Sequence, residues 1–156
     1  MNRFQVVPAA YVLLVEPARG GSADRVLLSL RRNTGYMDEH WSFGAAGHVE
    51  AGESVLAAAV REAREELGVE LSTSDLEPLT VMHRTAGTGD PVGERVDFFF
   101  AAHTWTGRPE RCEPHKAAAL GWFALDDLPT GVVPHEREVL ERLRTGNVPA
   151  VTVVGF

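Results

Sequence analysis

The sequence predicts an α/β fold in which helices pack on a mixed sheet, and three observations carry the prediction. Segments rich in β-branched and aromatic residues recur at Val6 to Val15, Arg25 to Leu30, Leu79 to His83, Arg95 to His103 and Ala117 to Phe123, and such segments read as strands. A segment of helical period lies between the second and third of them, and another lies near the end of the chain. Strands before and after a central helix, with a second helix late in the chain, give an α/β sandwich. No composition shift marks a linker and no repeat is apparent, so residues 1–156 are expected to form a single domain with a sizeable core.

Each element has its own reason. The opening stretch MNRFQVVPAAYVLLVEP is apolar enough to suggest a signal peptide, but it alternates, contains Pro8 and Tyr11, and lacks a cleavage pattern. It is read as the first strand. RVLLSLRR supplies the second, bounded by the turn-rich PARGGSAD and RRNTGYMDEH. Ser54 suits the N-cap of a helix over Val55 to Leu67, and Gly68 suits the left-handed position that ends it. Loops TAGTGDPVGE and TGRPERCEPH separate the later strands, and Pro134 precedes a second helix from His135 to Arg144.

Composition excludes several function classes. A net charge of −7 argues against a surface that neutralises a nucleic-acid polymer, a task that requires clustered Lys and Arg. Cys112 is the sole cysteine, so no intrachain disulfide forms and a reducing, cytoplasmic location is expected. No apolar run approaches the length of a membrane span.

The central helix carries an electrostatic problem. Leu56, Ala59, Val60, Ala63 and Leu67 cluster on one side of it and are expected to pack on the sheet. Glu62, Glu65 and Glu66 occupy a different arc, related as i, i+3 and i+4. Two of these acids lie in the last turn, where the helix dipole favours cations. Arg61 and Arg64 compensate in part, but a hard divalent cation, Mg²⁺ or Mn²⁺, does so more efficiently, and it commonly brings phosphates with it. A run such as REAREELG is also what an ordinary solvated helix carries. The loop GHVEAGES in front of the helix separates the two readings, because glycines there let backbone approach a ligand closely.

With Gly47, five residues, Glu53, seven residues, then Arg61-Glu62-Ala63-Arg64-Glu65-Glu66-Leu67-Gly68-Val69, the segment resembles the complete signature box of the Nudix hydrolases. The box covers about a seventh of the chain, and RVLLSLRR before it and GWFALDDLP after it also resemble the family. The resemblance implies a Nudix-type α/β/α sandwich with a mixed sheet. It also implies hydrolysis of a diphosphate linkage attached to some moiety X.

Roles follow from the same resemblance. Glu62, Glu65 and Glu66 are the expected metal ligands, with Glu62 or Glu65 as candidate general base. Glu53 and Arg61 are expected to pair and brace the loop against the helix. The carbonyl of Ala46 resembles a further coordinating position, and Glu113 falls where a late-loop ligand is expected, in competition with Glu94 and Asp97. Arg31 and Arg32 suit phosphate, while Tyr36 and Trp41 suit stacking on a base, and Asp97 is kept as a substrate contact. His48 and Cys112 receive no catalytic role.

The chain also departs from common family patterns. FGAAGHVE stands where many members carry a Pro-Gly-Gly turn. Thr130-Gly131-Val132 follows the LP turn where MutT-type members carry a base-reading Asn. The expected activity is Mg²⁺-dependent cleavage of a nucleoside triphosphate or related nucleotide to a monophosphate and pyrophosphate. The rivals are hydrolysis of a nucleotide sugar or other nucleoside diphosphate derivative, and a non-catalytic nucleotide-binding module. A homodimer is compatible with the resemblance, since dimers are common in such families.

Overall fold

The computed structural model describes residues 2–156. Strand β1 (Val7–Glu16) runs through its centre. Ala10, Val12 and Leu14 face one core, while Ala9, Tyr11, Leu13 and Val15 face the other. A strand covered on both sides reads as a nearly continuous apolar run, which is why its alternation is weak in the sequence.

Around it stand β2 (Arg25–Arg31), β3 (Trp41–Phe43), β4 (Ala45–His48), β5 (Glu77–Thr85), β6 (Glu94–Ala102), β7 (Ala117–Ala124) and β8 (Val151–Val154). They form one mixed sheet of order β3-β2-β1-β6-β5-β8, with β4 added to β1 and β7 added to β2. The β1–β6 and β5–β8 pairs are parallel and the others antiparallel. Three strands, β3, β4 and β8, lie in segments where the sequence alone gave no strand.

Helix α1 (Val55–Leu67) packs on one face of the sheet and α2 (Pro134–Thr145) on the other, completing an α/β/α sandwich. The Ser54 side chain accepts from the Ala57 N–H at 3.0 Å, and Gly68, at φ 68°, closes α1 by donating to the Arg64 carbonyl. The buried face of α1 differs from the expected one. Ala58, Ala59, Glu62, Ala63 and Leu67 are buried, whereas Leu56 is 37% exposed. Glu62 lies on the packed side because the facing position on β4 is Gly47, whose missing side chain leaves room for a carboxylate.

The sheet forks at one point. β1 pairs with β2 only at Val15 and Glu16, while Ala9 to Val12 pair with β4 instead. β2 meanwhile carries β3 along Leu28 to Leu30 and β7 along Arg25 to Arg31. The chain crosses this fork at Gly44, passing from β3 to β4, and a side chain there would press on Leu67 and on the Leu27 carbonyl. Among the described residues, no helix is long and apolar enough to cross a membrane.

Candidate active site

A cleft of about 320 Å³ opens at the fork. Ser29 and Arg31 of β2, Ser42 and Phe43 of β3, Gly44 and Ala46 beside them, Glu66 of α1, and Glu113, Lys116, Ala117 and Leu120 of the late loop and β7 line it, with Asn33 and Thr34. The late loop is held there by helix-end chemistry. The last carbonyls of α1 have no partner within the helix, and Cys112 and Glu110 donate their N–H groups to Glu66 and Leu67 at 3.2 and 2.9 Å. That docking brings Glu113 to the cleft near Glu66.

Glu62 and Glu66 are brought together on the inner side of α1. Glu66 accepts from the Ala46 N–H at 3.1 Å. Burial pushes the Glu66 carboxyl up from its ordinary range, and the neighbouring Glu62 charge and that of Glu113 push it further, against the Ala46 N–H. Burial also raises Glu62, opposed by Arg61. A Cβ at Gly47 would overlap the Glu62 carboxylate, so the box glycine acts as the cradle of this side chain. Glu65 points outward instead, with its side chain 51% exposed.

Arg61 ties the loop to the helix. Its Nε and Nη2 donate to the two oxygens of Glu53 at 3.1 and 2.7 Å, and Nη2 also donates to the His48 carbonyl at 3.1 Å. Nη1 reaches Glu62 at 2.7 Å and Glu65 at 3.2 Å. These hydrogen bonds hold the Glu53 carboxyl below its ordinary range. One guanidinium therefore serves three box acids.

The expected substrate contacts separate. Arg31 lines the cleft, but its Nε donates to the Tyr36 carbonyl at 2.8 Å and its Nη2 to Thr34 Oγ1 at 3.0 Å. It braces its own loop, where Asn33, Met37 and Glu39 all have positive φ. Arg32 donates to the Pro114 carbonyl, and its N–H to the Lys116 carbonyl at 2.8 Å, so it ties β2 to the late loop. Tyr36 is 48% exposed, with Arg31 over its ring at 5.6 Å. Trp41 packs edge-on against Phe123 at 4.8 Å rather than lining the cleft. Glu94 accepts from Thr85 Oγ1 at 2.7 Å, away from the site.

Asp97 does not reach the cleft. It faces the α2 side of the sheet and is fully buried, accepting from Arg84 Nε at 2.9 Å and lying 3.4 Å from Arg95 Nη2. Pairing of β5 with β6 sets these charges side by side, a proximity that sequence spacing does not display. His135 and Glu136, at the start of α2, belong to the same buried region. Burial, then the Arg84 and Arg95 charges, pull His135 down to about 3, and burial pushes Glu136 up to about 7. Among the cleft-lining residues, Lys116, Ser29 and Ser42 were missed from the sequence. Lys116 had a signal, since it shares the loop that supplies Glu113; the others had none.

The donor set fits a hard divalent cation. It consists of oxygens, with two carboxyls packed side by side in a partly desolvated place where a single guanidinium reaches only Glu62 of the two. Of the three acids, Glu62 and Glu66 pack side by side, while the more exposed Glu65 shares Arg61 Nη1 with Glu62.

Comparison with known proteins places this geometry. The family model of the NUDIX domain matches residues 6–143. The crystal structure of the MutT NUDIX hydrolase from Burkholderia pseudomallei is 33% identical, with a TM-score of 0.73, covering 89% of this chain and 98% of that one. The E. coli ORF135 protein is 26% identical over 91% of each chain, with a TM-score of 0.63. The NUDIX domain of Shewanella oneidensis NrtR, determined with ADP ribose, shares the fold at 16% identity and a TM-score of 0.69, covering 91% of this chain and 88% of that one. Among curated proteins, none matches the chain.

Proposed function

Because the chain belongs to the Nudix hydrolase family, whose reaction is hydrolysis of pyrophosphate bonds, we propose that it is a Mg²⁺-dependent pyrophosphohydrolase of a nucleoside triphosphate or related nucleotide. The products are a monophosphate and pyrophosphate, and Mn²⁺ is a substitute cation. The observation that carries this reading is the pairing of Glu62 and Glu66 beside Ala46, at a cleft that also holds the cationic Arg31 and Lys116.

Glu62, Glu65, Glu66, the Ala46 carbonyl and Glu113 are the groups that would hold the cation. When bound, it neutralises phosphate oxygens and acidifies a water for attack on phosphorus near neutral pH. Glu62 or Glu65 would accept the proton of the attacking water. Arg31 and Lys116 offer N–H donors to the phosphate as charge shifts onto the leaving oxygen. Arg61 keeps Glu53 and the glycine loop fixed against α1 throughout.

A second substrate class has support of its own. Ser29, Ser42 and Thr34 make the cleft wall polar, and Phe43 is the one aromatic residue among the described lining. That wall suits a hydroxyl-rich X, as in a nucleoside diphosphate sugar. A substrate panel with Mg²⁺, and with chelator as control, decides between them. Pyrophosphate released from triphosphates supports the first reading, a sugar phosphate supports the second, and turnover unaffected by chelator contradicts both.

Gly47→Ala tests the cradle. The added methyl displaces only the flexible end of Glu62, so the protein still folds, while a displacement of this kind costs roughly 100-fold in turnover. Unchanged turnover in the folded variant would mean that the position of Glu62 is immaterial.

A further inference from the structure

We propose that Glu136 is a positioning residue of the hydrolytic site, acting from the opposite face of the sheet through the backbone of Phe43. The inference rests on the reading of the cleft given above. The outer edge of β3 is paired in parallel with the segment before α2: the Trp41 N–H donates to the Gly131 carbonyl and the Val133 N–H to the Trp41 carbonyl, both at 2.8 Å. The next bond in such a ladder runs from the Phe43 N–H to the Val133 carbonyl. That carbonyl is already taken, because it accepts from Glu136 and Arg137 as the chain turns into α2.

The Glu136 side chain supplies the missing acceptor. Its Oε1 lies 2.7 Å from the Phe43 nitrogen, and the residue is 2% exposed. A side-chain carboxylate thus stands in for a strand carbonyl and extends the ladder by one bond. The bond falls at the exit of β3, immediately before Gly44 carries the chain across the fork to Ala46. Ala46 in turn donates to Glu66 and borders the cleft. Glu136 fixes one end of this four-residue crossing and β1 fixes the other, through the pairing of Val12 with Ala45. Without the pin, Phe43 loses its buried partner, and the β1 pairing of Ala45 and Ala46 alone is left to hold the backbone that faces Glu66.

The test uses the full chain as wild type, Glu136→Ala and Glu136→Gln, with two readouts: hydrogen exchange at the Phe43 amide, and turnover as a function of Mg²⁺ concentration. Glu136→Ala is expected to exchange at least about tenfold faster at Phe43. It is also expected to need about tenfold more Mg²⁺ for half-maximal rate, with kcat reduced about 10- to 100-fold, as when an outer partner of a metal site is removed. Glu136→Gln keeps an acceptor at the same reach and recovers most of each loss.

Three results overturn the proposal: a Glu136→Ala variant of lowered Tm whose Mg²⁺ dependence matches wild type; unchanged exchange at Phe43; or a Gln variant as impaired as the Ala variant. Should Glu136→Ala not fold, Glu136→Asp, one methylene shorter, carries the same expectations. A wild type that turns over no substrate of the panel sinks the hydrolytic reading instead, and Phe43 exchange in the same variants still shows whether the pin exists.

Discussion

Glu66→Gln is expected to lower Mg²⁺-dependent turnover by about 100-fold, the upper end of losses seen when metal coordination is disturbed. The substitution keeps the size of the side chain and an oxygen for the Ala46 N–H, which Glu66 accepts at 3.1 Å. What it removes is the negative charge that the cleft has packed beside Glu62. A rate near wild type would show that this charge takes no part in the reaction.

The same variant makes a second, opposite prediction for the metal-free protein. The Glu66 carboxyl is raised in the folded state, first by burial and then by the Glu62 charge. The native protein therefore binds more protons than the unfolded chain above the ordinary carboxylate value of about 4.3, and stability falls as pH rises through that window. Gln carries no such penalty. Without metal, the variant is expected to melt higher than wild type at pH 8 and to lose that advantage as the pH approaches 4. Adding Mg²⁺ at pH 8 reverses the ranking, because a ligand that binds only the folded state stabilises it. Thermal melts at the two pH values, with and without Mg²⁺, read all of this. A wild type that melts higher than the variant at pH 8 without metal would contradict the penalty.

The contrast between Glu66 and Asp97 shows which parts of the molecule the sequence displays. Helix α1 was legible because its signals are local: Ser54 starts it, Gly68 stops it, and the box acids fall at fixed spacing within it. The layer order was legible because β1 is apolar on both faces and the two helices are periodic. Strands β3 and β4 were not, since WSF and AAGH are too short to show alternation and owe their pairing to the fork between β1 and β2. The helical wheel placed Leu56 inward and Glu62 on another arc. The inward place of Glu62 depends on a glycine in strand β4, at position 47. Within the site, Arg61 and Glu53 adjoin in space as the box suggests, whereas Arg31 and Tyr36 are engaged within their own loop and Arg32 with the late loop. Long-range pairing decides such placements, and one sequence does not print it.

Asp97 is the clearest case, and its replacement has the largest expected effect on stability. In ERVDFFF it reads as an acid at the mouth of an apolar strand, yet it is fully buried between Arg84 and Arg95, whose side chains are each 13% exposed. Asp97→Ala leaves two arginines in a largely desolvated place without their counter-charge, and breaking a buried pair in this way costs about 3–5 kcal/mol. That is a large share of the roughly 5–15 kcal/mol that keeps a domain folded. Asp97→Asn retains an acceptor for Arg84 and is expected to lose less. The remaining acid nearby gives the effect a pH dependence. Glu136 is raised to about 7 by burial, and the Asp97 charge adds to that rise. Removing Asp97 lets Glu136 ionise more readily and take up part of the positive charge. The loss in Asp97→Ala is therefore expected to be greater at pH 5, where Glu136 is protonated, than at pH 8. Urea unfolding at the two pH values measures both quantities. A loss below about 1 kcal/mol at either pH would mean that the arginines are hydrated well enough to stand alone.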